Sequence, residues 1–152
     1  MQKILMAVDG SESSKKAVEK TVEMISKIEA EVTLMTVISD AILRAASIPV
    51  SSDIPVDYQP EEMMDRINKI IEEEGQKILD EAGEILEEEG IRPEKIINRG
   101  DPAEIICDFA EEEDYDLIVV ADRGQSKIKR YLLGSTSDKI VRYARTSVLV
   151  VK

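Results

Sequence analysis

The chain has 152 residues and a net charge of −12, from 20 basic and 32 acidic side chains, a balance that disfavours nucleic acid as a partner. With no histidine and one cysteine, Cys107, it cannot form an internal disulfide, a four-ligand Cys/His zinc site, or a Ser-His-Asp or Cys-His nucleophile, so any general base must be a carboxylate, lysine or tyrosine. No apolar run approaches the roughly 20 residues of a membrane span, and the first one reaches Asp9 too soon for a signal-peptide core, so the expectation is a cytoplasmic, untargeted chain with no membrane partner.

Lys3 to Val8 is a nearly continuous apolar run ending at Asp9-Gly10. It is too short for a helix and predicts a strand buried on both faces. From Ser11 to Lys27 a helix is expected, with Ala17, Val18, Thr21, Val22, Ile25 and then Ile28 at helical spacing. Ser11 or Ser13 can cap it, and Glu12 suits its first turn. Glu31 to Ile38 predicts a second strand. Ser39 to Pro60, with Pro49, Pro55 and Pro60, predicts a long loop, and such loops in compact domains are usually functional or disordered. Glu61 to Glu89 predicts a long helix with Met64, Ile67, Ile71, Ile78, Ala82 and Ile85 on one side. Gly75 and Gly83 weaken it and predict a bend. Gly90 and Pro93 end it.

Lys95 to Arg99 predicts a short third strand. A helix then opens at Asp101-Pro102, an acidic cap followed by proline at the first helical position, with Ile106, Phe109 and Ala110 as its buried stripe. Leu117 to Ala121 is an all-apolar fourth strand. Ser135 to Tyr143 predicts a final helix with Ile140, Val141 and Ala144 inward, and Val148 to Val151 a fifth strand. Strands alternating with helices imply an α/β fold: a single open, five-stranded parallel sheet, doubly wound and Rossmann-like. Residues 1–152 read as one domain.

In such a sheet, ligands bind beyond the carboxyl ends of the strands, where strand order reverses. Val8 to Ser11, Val37 to Asp40 and Ala121 to Thr136 occupy that end. In the third segment Gly124 can turn the chain and let amides approach a ligand. After nine intervening residues, Gly134-Ser135-Thr136 precedes a helix, where amide N–H groups, two hydroxyls and the helix dipole suit an anion. Arg123, Lys127, Lys129 and Arg130 lie between, and Lys139, Arg142 and Arg145 follow. Against Asp122 and Asp138 alone they make this segment +5, which suits a small anion better than a long one. The residues fit a phosphate cradle, and they equally fit a turn glycine, a helix cap and a solvated helix face. Neither a Gly-x-x-x-x-Gly-Lys-Ser/Thr loop nor a Gly-x-Gly-x-x-Gly turn is present, which argues against a P-loop ATPase and an ordinary dinucleotide fold. Asp9, at the end of the first strand, is placed to accept hydrogen bonds from a ribose hydroxyl or an adenine amino group, or simply to help cap the next helix.

Val8-Asp9-Gly10-Ser11-Glu12-Ser13-Ser14, Gly100-Asp101-Pro102-Ala103-Glu104-Ile105-Ile106 and Tyr115-Asp116-Leu117-Ile118-Val119-Val120 resemble the universal stress protein family. So does the stretch from Arg123-Gly124 through Tyr131-Leu132-Leu133-Gly134-Ser135 to Ser147-Val148-Leu149-Val150-Val151. The resemblance spans the whole chain. It implies strand order 3-2-1-4-5 and a homodimer formed through the last strand, Val148 to Val151. It also implies a site for ATP or AMP, with or without Mg²⁺. On that pattern Asp9 contacts the nucleoside, the backbone at Val37 meets adenine, and Ala121, Arg123, Gly124, Gly134, Ser135 and Thr136 surround the phosphates. The sequence departs from the family's Gly-x-x-Gly-(nine residues)-Gly-Ser/Thr motif where Ala121 replaces the first glycine, and Asp122 beside it adds negative charge.

Three functions remain open on the sequence: a nucleotide-binding stress-response or regulatory protein, a dimeric interaction module that binds no nucleotide, and a slow ATPase. The third needs a positioned base and usually Mg²⁺, and Asp9 and Asp122 are the carboxylates available. Cys107 and the helical methionines read as apolar filler.

Overall fold

The computed structural model describes residues 1–41, 59–122 and 133–152. The elements run β1 (Gln2–Ala7), α1 (Glu12–Ile25), β2 (Ala30–Ile38), α2 (Pro60–Glu88), β3 (Glu94–Arg99), α3 (Pro102–Glu112), β4 (Leu117–Ala121), α4 (Ser135–Tyr143) and β5 (Ser147–Val151). The five strands form one sheet in the order β3-β2-β1-β4-β5, and every pairing is parallel. Both the α/β class and the strand order agree with the reading of the sequence. The expected loop from Ser39 to Pro60 lies largely outside the described residues, and Pro60 itself is the first residue of α2.

Alternation within β1 sorts the core into two layers. Ile4, Met6 and Val8 point to the face covered by α1 and α2, where they meet Val18, Val22, Ile25, Leu79 and Leu86. Leu5 points to the face covered by α3 and α4, against Ile106, Ala110, Ile118 and Ile140. All-apolar strands suit a parallel sheet whose two faces are both covered by helices. Val141, expected inward, is 44% exposed, as is Met64 at 51%. Ile140 and Ile67 take the inner places, each fully enclosed on its helix.

Helix α2 continues through Gly75 and Gly83 as one element of 29 residues. Their reason is contact with the adjacent edge strand. A Cβ on Gly75 would stand 2.7–2.9 Å from three side-chain atoms of Ile97 on β3. A Cβ on Gly83 would stand 2.7 Å from Cε of Lys95, whose ammonium group pairs with Asp80 at 3.1 Å and Glu87 at 3.6 Å. The glycines let α2 lie close on β3. Among the described residues no helix is long and apolar enough to cross a membrane.

These two contacts predict different outcomes for the same substitution. Gly75→Ala gains about 1 kcal/mol of helix propensity but forces a β-branched neighbour out of place, an overpacking cost of about 1–3 kcal/mol. A net lowering of the urea midpoint is expected. Gly83→Ala displaces only the flexible end of Lys95 from exposed ion pairs, which contribute little, so its midpoint should match or exceed that of the parent chain.

Candidate functional site

β1 ends where its flanking helices part. Val8 extends the ladder by donating to the Met35 carbonyl at 2.9 Å, and the chain then turns at Gly10, whose φ of +79° lies in the left-handed region. Ser11 caps α1 by accepting from the Ser14 N–H at 3.2 Å. The Asp9 carboxylate accepts from the Ser11 N–H at 3.0 Å, and the Asp9 N–H donates to Ser14 Oγ at 3.3 Å. The local role foreseen for Asp9, steadying the helix start, is therefore realised, with Asp9 at the surface.

β4 ends beside it and is braced twice. The Asp122 N–H donates to the Val151 carbonyl at 2.8 Å, prolonging the β4–β5 ladder. The buried Ser137 hydroxyl, in the first turn of α4, donates to the Ala121 carbonyl at 2.9 Å. Gly134, the residue that opens α4, supplies no side-chain cap. Its N–H donates instead to Oδ1 of Asp122 at 3.3 Å.

Between these ends lies a cleft of about 320 Å³, within the lower part of the usual range for small-molecule sites, roughly 300–1,000 Å³. Asp9, Val37, Ala121, Gly134, Ser135 and Thr136 all line it. The structure thus brings six of the expected site residues to one cavity, from four separate stretches of chain. The expected contributions of Arg123 and Gly124 fall outside the described residues. The sequence reading did not anticipate Ser14 on α1, Pro102 and Ile106 on α3, or Ile140 on α4 as lining residues. Ser14 carries a usable signal, since it follows the Asp9 turn in the first turn of a helix. Pro102 and Ile106 carry none until α3 and α4 are known to share a sheet face.

The cavity lining is mixed. Met35, Val37, Ile106 and Ile140 are its apolar contributors. Asp9, Ser14 and the exposed Ser135 and Thr136, at the amino terminus of α4, are polar contributors. The first amides of a helix have no partner within it and carry its positive end, so the start of α4 favours an anion, while the apolar residues suit a flat apolar group. Asp101 immediately precedes the lining residue Pro102. It caps α3 by accepting from the Ala103 and Glu104 N–H groups, each at 3.1 Å, and receives Lys139 Nζ at 3.4 Å. The Glu104 amide chiefly, with Lys139 and Ala103 assisting against the opposing effect of burial, holds its carboxyl below the usual value. Burial foremost, and then Asp108, push the Cys107 thiol up, which disfavours its thiolate form.

A family model described as the universal stress protein family matches residues 1–152. The chain is 35% identical over 150 residues to universal stress protein YxiE of Bacillus subtilis, covering 99% of this chain and 98% of that one. Among solved structures, that of protein MJ0577 of Methanocaldococcus jannaschii superposes with a TM-score of 0.75 at 28% identity, covering 99% of this chain and 95% of the other. A universal stress protein in complex with cAMP matches with a TM-score of 0.65 at 25% identity, over 99% and 96% of the two chains.

The Asp101 cap gives a pH-dependent expectation. Its folded-state pKa is lowered, so its contribution is complete above the unfolded-state value, about 3.9, and is lost as pH falls through the folded-state value. Asp101→Ala should cost about 1 kcal/mol at neutral pH. Denaturant midpoints of parent and variant should draw together as pH is lowered beneath the unfolded-state value of about 3.9; a constant difference down the acid range would contradict the charge-based account.

Proposed function

The chain belongs to the universal stress protein family, and from that premise we propose that it is an adenine-nucleotide-binding stress-response or regulatory protein, not an enzyme of high turnover. The observation that carries this reading is the cleft of mixed apolar and polar lining at the carboxyl ends of β1, β2 and β4. Its apolar residues, with Val37 at the end of β2, suit the adenine ring. Asp9 suits the ribose. Gly134, Ser135 and Thr136 at the start of α4 suit phosphate, as helix amino termini do. The cAMP complex of a relative supports an adenine ligand of this class. ATP and AMP are the ligands expected, and Ala121, Arg123 and Gly124 complete the proposed contact set. High turnover is disfavoured because Asp9, a carboxylate beside the proposed ligand, already holds the Ser11 amide, and the chain has no histidine to act as a general base.

The second part of the proposal is a homodimer through β5. That strand forms one edge of the sheet and its Val148 to Val151 are only half-buried. Apolar edges of this kind favour pairing with another strand.

One observation favours a different reading, in which the protein is a dimeric interaction module without a nucleotide. The Asp122 carboxylate already holds the Gly134 amide, one of the groups a phosphate would use. Calorimetric titration of the full chain with adenosine, AMP and ATP separates the two. Saturable binding of any of them is the expected result, and Asp9→Ala should weaken it roughly 10- to 100-fold, the span of a charged hydrogen bond. No heat and no shift in melting temperature at millimolar ligand would leave the interaction module standing. Light scattering on the same samples should give twice the 17.0 kDa chain mass.

A further inference from the structure

Asp122 is the one acidic side chain that reaches the start of α4 from just past the neighbouring strand among the described contacts. Its position is fixed from both sides. The Ala121 carbonyl before it is held by the buried Ser137 hydroxyl, and its own N–H is held by the Val151 carbonyl. Its carboxylate spans to the Gly134 N–H at 3.3 Å. Ala121 and Gly134 both line the cleft, so the negative charge is carried by the neighbour of one lining residue and hydrogen-bonded to the other. It faces the positive end of a helix that has no side-chain cap of its own. A carboxylate there acts as an internal anion: it takes one amide and offsets part of the helix field that would otherwise attract phosphate.

We propose that Asp122 sets the charge preference of the cleft, turning it toward adenine ligands with the least phosphate charge and against the triphosphate. This rests on the adenine-nucleotide reading above and adds to it a determinant of which adenine ligand is retained. Repulsion between Asp122 and a ligand grows with each added phosphate charge, whereas contacts to adenine and ribose do not depend on that residue. At separations of about 6 Å and effective dielectric constants between those of a protein surface and water, one unit charge changes affinity by roughly three- to a hundredfold. The discriminating quantity is therefore the ratio of ATP to adenosine affinity.

Asp122→Asn removes the charge while keeping a side-chain oxygen that can still accept from Gly134, and Asp122→Glu serves as the control that keeps the charge. Titrations of the full chain with adenosine, AMP and ATP, at low ionic strength and without divalent cations, should show the ATP-to-adenosine affinity ratio rising about tenfold or more in Asp122→Asn. AMP should move less, and adenosine less than twofold. Asp122→Glu, which keeps the charge, should stay near the parent ratio. Raising salt to about 0.5 M should close the gap between parent and Asp122→Asn, because screening shortens the reach of the charge. Asp122→Ser serves the same purpose if the asparagine variant loses its circular-dichroism signature. Adenosine binding with an ATP-to-adenosine ratio unchanged within twofold in the neutral variants would overturn the role of Asp122 while leaving the nucleotide reading intact. Failure of parent and variants to bind any of the three would overturn both. ATP binding gained only by the neutral variants would support the role of Asp122 in its strongest form.

Discussion

The cleft exists because β1 is hydrogen-bonded to a parallel strand on each side while the helices that follow β1 and β4 are committed to opposite faces of the sheet. The β1–β2 register runs from Gln2↔Ala30 to Ala7↔Met35, and β4 joins the other edge from Ile4↔Leu117 to Met6↔Val119. Val18, Val22 and Ile25 carry α1 onto one face, and Ile140 anchors α4 on the other. Right-handed crossovers leave no other arrangement once strands two and three go to one side and strand five to the other. The two chain ends diverge as they leave the sheet, and the space between them is the switch-point crevice where open α/β sheets hold ligands.

That geometry also aims helix amino termini at a single edge of the sheet, since every strand-to-helix connection falls there. Two of these helices satisfy their first amides from their own cap residues: α1 through Ser11 and α3 through Asp101. α4 does not. Its opening residue is glycine, and Asp122, the residue just past β4, reaches across to the Gly134 amide. Buried or half-buried amides need partners, and a helix without a cap must obtain them from elsewhere in the chain or from a ligand. α2 likewise has no side-chain cap at Gln59, but among the described residues it is α4 whose uncapped start, Gly134 to Thr136, lies in the cleft wall, which is where a binding protein gains from leaving amides available.

Much of this was legible in the sequence because it depends on local chemistry. The apolar run of β4 and the start of α4 after Gly134 were read at their observed bounds, and Asp101-Pro102 opens α3 as its residue types dictate. The segments that deliver Asp9, Val37 and Ser135 to one edge follow from alternation of strand and helix alone. What was not legible depends on contacts between distant residues. Gly75 reads as a weakness of α2 until Ile97 is seen against it, and Gly83 until Lys95 is. Val141 and Ile140 are equally apolar neighbours, and only the position of the sheet decides which is inside. Ile106 reads as core, and it is; that the same side chain also lines the cleft requires knowing that α3 and α4 share a face.

For the described basic residues near the cleft, charge counted along the chain overstates the positive field. Between Ala121 and Arg145 the sequence carries a surplus of basic residues, but in the fold Lys139 is paired with Asp101, Arg142 with Asp138 and Arg145 with Glu111. Each partner cancels much of the field its cation would project, and Asp101 and Glu111 come from a helix that segment-wise counting assigns to the acidic remainder. What the described part of this segment offers an anion is therefore the dipole and first amides of α4, together with the hydroxyls of Ser135 and Thr136. An attraction of that kind is short in range, and the Asp122 carboxylate acts on it directly, because it sits on an amide at the helix end that supplies it.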